Sequence, residues 1–246
     1  LLTDLTDLSN YGTLMRDDLR AQSLIPLNDP YSMGQTTTAA VLSATGSNAI
    51  VDWVLIELRD QNDPTIVVAS YAGLLQRDGD VVDVDGTSAL TMSGVSPDDY
   101  YVAVRHRNHL GVMTAMPVEL PSATVIDFTT LTPTEIYDKG INGGERREVS
   151  AGVYALWAGN ANGDGRTTTN EDVNAINQRV TNDPANIFGS TSFEPAGYEL
   201  EDANMDGKVG LITQGNDVNL VVDAVITDGN GNVLGNLNFQ LIEQLP

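Results

Sequence analysis

The chain contains no cysteine in its 246 residues. Disulfides, thiol nucleophiles and thiolate metal sites are thereby excluded, and any staple beyond the core must be of another kind. Positive charge is almost as scarce. Twelve basic residues stand against 34 acidic ones, giving a net charge of −22 and a pI near 4.1. Phosphate contacts need a positive footprint, so nucleic acid is excluded as a partner, and adhesion to an anionic membrane surface with it. No stretch approaches the roughly 18 apolar residues of a membrane span, so no insertion is expected. Catalytic signatures are missing as well: there is no G-x-S-x-G elbow, no phosphate-binding Walker loop and no H-E-x-x-H. Carboxylates abound, but no pair is set apart for glycoside hydrolysis. A non-catalytic protein is expected.

What the chain does have is a near-duplicated acidic loop, Asn160-Ala-Asn162-Gly-Asp164-Gly165 and Asp202-Ala-Asn204-Met-Asp206-Gly207. Oxygen side chains at positions 1, 3 and 5 with glycine at 6 form the front half of a calcium loop. Calcium takes six to eight hard oxygen ligands at about 2.3–2.6 Å, and alternating ligand and spacer lets one chain wrap round the ion. The glycine turns the backbone so that the next carbonyl, of Arg166 or Lys208, can also coordinate. Two calcium sites are expected. In the first loop Glu171 stands at position 12, with Asp172 beside it as the rival closing ligand. In the second, position 12 is Thr213 and the closing carboxylate is Asp217, so that loop must bulge. The matching segments Glu171-Asp172-Val173-Asn174 and Asn216-Asp217-Val218-Asn219 favour Asp172 and Asp217 as equivalents.

A loop, a helix, a spacer and a second loop and helix resemble the dockerin family of secreted bacterial proteins, over roughly residues 153–226. The resemblance implies two calcium loop–helix repeats packed as a pair. Residues 181–201 make a longer spacer than the family has, and no cohesin-recognition positions can be matched. A second resemblance rests on Asp52-Trp53-Val-Leu-Ile-Glu-Leu-Arg59, Leu75-Gln-Arg-Asp-Gly-Asp80, Tyr100-Tyr-Val-Ala-Val-Arg-His-Arg-Asn-His109 and the ending Glu243-Gln-Leu-Pro246. These look like the C-terminal region of large secreted bacterial surface proteins, which implies an extracellular module without a defined ligand.

The expected fold class is mainly β with a small α part. Residues 36–130 carry short β-rich runs at Thr36–Ser43, Ala49–Arg59, Thr65–Leu74, Val81–Val84, Ala89–Met92, Tyr100–Arg107 and Val125–Thr129, separated by clear turn signals. They predict an immunoglobulin-like or prealbumin-like β-sandwich. Residues 1–35 read as an N-terminal arm with a helical turn near Thr13–Arg20, 131–152 as a linker, and 153–246 as a dockerin-like domain ending in a strand around Leu237, Phe239 and Leu241. The start at Leu1 reads as a processed form.

Three other features have plain readings. His106 falls on the inward face of a strand, where a hydrogen-bonded core histidine is expected rather than a metal pair with His109. Asp78, Asp80, Asp83 and Asp85 could bind a third calcium but read as a solvated acidic edge. Asp228, Asn230 and Asn232 repeat the ligand spacing without its glycine and read as a hairpin turn. The functional expectation is a secreted, calcium-stabilised structural protein that polymerises by strand addition of its N-terminal arm or serves as a cell-surface adhesive module. The alternative is a docking module whose sandwich binds a protein or carbohydrate ligand, with Trp53 and Trp157 as candidate stacking platforms.

Overall fold

The computed structural model describes residues 14–122, 125–140, 145–213, 216–227 and 231–246. It is mainly antiparallel β with few helices. The largest sheet runs in the order β3-β2-β1-β4-β5, from β1 (Ile50–Asp60), β2 (Val67–Gln76), β3 (Val81–Val82), β4 (Asp98–His106) and β5 (His109–Met113), with β6 (Val118–Leu120) also pairing β4. Its centre, β1, is buried on both faces, which explains a run of apolar residues almost without alternation. Trp53 and Leu74 pack on one face with Leu19, Ile25 and Met205. Val54 and Leu75, the next residues along their strands, pack on the other with Met15, Tyr100 and Val102. The β1–β2 turn is set by Asp60, whose side chain accepts from the amides of Asn62 and Asp63.

Several expected strands are otherwise. Within Thr36–Ser43 the chain forms a short helix, α2 (Ala39–Leu42), because Thr38 caps it by accepting from the Val41 amide; the preceding helix, α1 (Asp18–Ala21), lies at the end of the turn expected near Thr13–Arg20 and runs one residue past it. Val125–Thr129 is not a strand. Asp127 bonds the Thr129 amide and both threonine hydroxyls that follow it, folding the segment into a turn. Ala89–Met92 contributes one bridge, Val82 to Ala89. In the expected linker, the described residues form a 3-10 turn (Pro133–Glu135) and β7 (Arg147–Ser150), which pairs with β8 (Val153–Ala155). Residues 1–13 of the expected arm lie outside the described residues, as do Asp228 and Asn230.

The tail carries α3 (Glu171–Thr181) and α4 (Asp217–Ile226), each following one acidic loop, with Ala161, Ile176, Val180, Val209 and Val221 buried between them. The short strand β9 (Arg166–Thr168), inside the first loop, pairs with β10 (Gln240–Ile242) near the chain's end. Tail and sheet are joined through buried groups. The Leu110 amide donates to the Trp157 carbonyl at 2.8 Å. The Asn108 side chain donates to the Leu200 and Asp202 carbonyls at 3.1 and 2.7 Å. Asp52 sits beneath this junction, fully buried, and accepts from His106, Arg107 and the Tyr198 hydroxyl.

Candidate metal centre

The two acidic loops close in the same way. In the first, one Asp172 oxygen accepts from the Asn162 amide at 3.2 Å and the other from the Thr168 amide at 2.7 Å. In the second, Asp217 accepts from the Asn204 amide at 3.0 Å and the Gly210 amide at 2.7 Å. Asn162 and Asn204 hold the same loop position, as do Thr168 and Gly210. The bulge in the second loop is therefore confined to one stretch: Gly210 precedes Asp217 by seven residues, whereas Thr168 precedes Asp172 by four. Asp172 and Asp217 are equivalent closing groups by this geometry. Glu171 projects into solvent in the first turn of α3, and its amide is capped by the Thr168 hydroxyl.

The front halves also correspond. Asp164 accepts from the Arg166 amide and Asp206 from the Lys208 amide, both at 2.9 Å. Asp202 accepts from the amides of Asp206 and Gly207, and Asn204 from that of Asp206. Left-handed backbone recurs at Gly163 and Gly165 and at Met205 and Gly207. Met205 adopts φ 59° without being glycine, and its side chain is buried in the cluster of Trp53 and Leu74. Gly207 has no such freedom. A Cβ there would stand 2.7 Å from the Gln22 side chain and 2.8 Å from that of Leu24. The N-terminal segment presses on this loop, with Gln22 donating to the Asp206 carbonyl and Arg16 to that of Asn204.

Electrostatics sets the two loops apart from the acidic surface. Asp172, Asp202 and Asp217 are buried, and none forms an ion pair among the described residues. Burial pushes the Asp172 carboxyl up to about 6 and Asp217 to about 7. Asp202 is raised well above the usual range by burial and then by the Asp217 charge. In the first loop the Asn160 Oδ1 is buried and accepts no hydrogen bond. Asn162, Asp164 and Arg166 are exposed, Asp206 is half-buried, and Lys208 is exposed with Glu194 at 3.6 Å. Among the described residues no group of three or more His, Cys, Asp or Glu side chains is gathered as if round an ion. Amides occupy one lone pair on each closing oxygen, and asparagines and carbonyls make up much of the donor set. A buried acceptor without a donor and uncompensated buried carboxylates nevertheless fit a hard, oxygen-seeking cation.

The repeat is longer than the loops. After α3 comes Asn186-Ile187-Phe188-Gly189, and after α4 Asn232-Val233-Leu234-Gly235. Asn186 donates to the Val180 and Ser190 carbonyls and accepts from the Ser190 amide at 2.8 Å. Asn232 makes the same set with the Val225 and Asn236 carbonyls and the Asn236 amide, again at 2.8 Å. Gly189 and Gly235 share a φ of 60°. Each turn presents two large apolar side chains to solvent, with Phe188 90 % and Leu234 89 % exposed. The signal was in the sequence, as Asn-apolar-apolar-Gly at matching places, though the spacer before each copy differs.

The remaining candidates are structural. His106 and His109 are buried edge to face at 4.7 Å, one bonded to Asp52 and the other to Asn108. Burial lowers both, so they are neutral core side chains. Asp83 accepts from the Tyr71 hydroxyl, and Asp85 caps the turn through Thr87 and Ser88. Both tryptophans are buried, Trp53 donating to the Pro26 carbonyl and Trp157 packed on Leu110, Ala224 and Leu241. Comparison with protein-family models, with curated proteins and with solved structures finds no match for this chain.

Proposed function

We propose that the chain is a non-catalytic extracellular structural module, stiffened by calcium in two tail loops, that assembles into a filament or serves as a cell-surface adhesive module. The observation that carries this reading is the trio of buried carboxylates, Asp172, Asp202 and Asp217, none of which forms an ion pair among the described residues, the Arg107 charge offsetting the burial of Asp202 only in part. Unpaired buried charge is costly, and a bound divalent ion compensates it. The donors are all oxygen: Asn160, Asn162, Asp164, Asp172 and the Arg166 carbonyl in one loop, Asp202, Asn204, Asp206, Asp217 and the Lys208 carbonyl in the other. That set suits calcium rather than a thiolate- or imidazole-seeking metal. Glu171 is left out of the closing role.

Modules of this loop type bind calcium at about 10⁻⁴–10⁻³ M, a range met outside cells. The cation would also relieve the self-repulsion of a chain carrying a net charge of −22. The duplicated loop, helix and Asn-anchored turn support a dockerin-like pair, attached to a β-sandwich of immunoglobulin-like or prealbumin-like type. Residues 1–12 are the proposed contact between copies. The alternative, a docking module with a carbohydrate-binding sandwich, loses its stacking platforms with the burial of both indole rings. Electron microscopy of the purified chain in millimolar calcium and in chelator tests the proposal. Long polymers or surface-bound arrays that disperse in chelator are expected; a monomer indifferent to calcium would end it.

A further inference from the structure

A cavity of about 410 Å³ opens on the sheet face that carries Val54 and Leu75, with Val104 and Val112 completing an apolar floor. An apolar cavity of about 150 Å³ already holds benzene, so this one has room for a phenyl ring with an aliphatic side chain beside it. Arg146 lines it too. That side chain is buried, its two terminal nitrogens donate to the Phe128 and Leu131 carbonyls, and its Nε has no acceptor among the described residues. Asp78, Asp80 and Asp127 line the cavity's exposed edge. A matching guest is apolar, brings one hydrogen-bond acceptor and carries no negative charge.

Such a group stands elsewhere on the same chain. In the turn tied by Asn186, Ile187 is 77 % and Phe188 90 % exposed. Residues 184–193 carry no charge in a chain of net charge −22, so this turn meets the aspartates without the repulsion most of the surface would suffer. No described donor engages the Ile187 or Phe188 carbonyl, which leaves an acceptor for Arg146 Nε. The two Asn-anchored turns differ in place. Arg147, next to Arg146, bonds Asp223 and Thr227 at the end of α4, so the Val233–Leu234 turn stands on the cavity's side. In the last turn of α3, Arg179 pairs with Glu199, whose neighbour Tyr198 packs on the opposite sheet face with Trp53. Knob and cavity thus lie on opposite sides of the sheet. Such a contact is not reciprocal, and its repetition adds copies head to tail in an open row. A phenylalanine buries about 150–250 Å², against about 800 Å² per partner in a stable interface, so rows should form only where the chain is concentrated.

We propose that this cavity receives the Ile187–Phe188 turn of a second copy of the chain, with Phe188 on the valine and leucine floor and a turn carbonyl accepting from Arg146 Nε. The inference deepens the assembly reading and rests on it, adding a second junction to the one proposed at residues 1–12. It draws on neither calcium loop.

Two exposed positions allow a test that leaves the core alone. Phe188→Ser removes the knob, and Val125→Asp charges the cavity's edge, where Val125 is 88 % exposed. Sedimentation velocity of the full-length chain, from micromolar to millimolar concentration, reads association. Each variant alone should weaken it about tenfold to a hundredfold, the worth of burying one phenylalanine. An equimolar mixture of the two should recover part of the loss, because the knob of one meets the open cavity of the other. Leu234→Ser should associate as the parent does. A parent that stays monomeric at millimolar concentration overturns the proposal, as does a Phe188→Ser chain that associates undiminished or a mixture that recovers nothing. Filaments that persist in Phe188→Ser at parental concentration overturn this contact and leave the assembly reading standing. Recovery in the mixture without filaments in the parent supports the contact and counts against a filament.

Discussion

Asp172 and Asp217 each hold a loop shut with both carboxylate oxygens, and each is buried without a positive partner among the described residues. Asp172→Asn or Asp217→Asn keeps the shape but removes the charge. Each variant should lose the calcium-dependent rise in melting temperature for its own loop. The stabilisation behind that rise is about 2.7 kcal/mol per site at calcium a hundredfold above the dissociation constant, and calorimetry with and without chelator reads it. A second test uses pH. The folded-state values of about 6 and about 7 lie above the ordinary 3.8, so the cation-free fold gains stability from these groups below that value and loses it as pH rises through them. In chelator the melting temperature should fall between pH 4 and 7. In calcium, which needs the ionised form, it should rise over the same interval. A chelated chain indifferent to pH there would contradict the burial. Asp52 does not confuse the window. Burial pushes it up, but Arg107, His106 and Tyr198 outweigh that and hold it at about 2, so its contribution is lost only in stronger acid.

Between the helices and the chain that follows, two asparagines do equivalent work. Asn186 and Asn232 each tie a turn to carbonyls in the last turn of α3 and α4, and each turn exposes two apolar side chains. Asn186→Ala or Asn232→Ala should cost about 1–3 kcal/mol by leaving buried carbonyls unbonded, and hydrogen exchange at the Ser190 or Asn236 amide should speed up accordingly. Unchanged protection would show that the turn is held by something else. This repeat also marks how far the sequence could be read. The paired acidic loops were legible because their Asn, Asp and Gly spacing repeats, and β1, β2 and β4 because long apolar runs leave few alternatives. His109–Met113 was missed because all five residues are buried and show no alternation, with Gly111 against the Glu243 side chain. The stretch Thr36–Ser43 has β-rich composition, yet a single threonine cap turns it into a helix. Nothing local announced the partner of β9, because β10 comes from the far end of the chain.

Sheet and tail share their buried groups, and both ends of the described chain reach the loops. Glu243 donates its amide to the Gly165 carbonyl at 2.9 Å while its side chain accepts from the Gly111 amide at 2.8 Å, joining the first loop to β5. Removing residues 240–246 should therefore abolish the calcium response of the first loop and leave that of the second. Calcium titration of the truncated chain, with Asp217→Asn to silence the second loop, would show no binding if this is right. Arg16 and Gln22 brace the second loop in turn, through the carbonyls of Asn204 and Asp206. The order in which a ribosome delivers the polypeptide then has a bearing on when it can harden. The proposed first cation site waits for β10, which is made after β9 and after both tail helices, so that loop cannot harden until the later strand has been delivered to it.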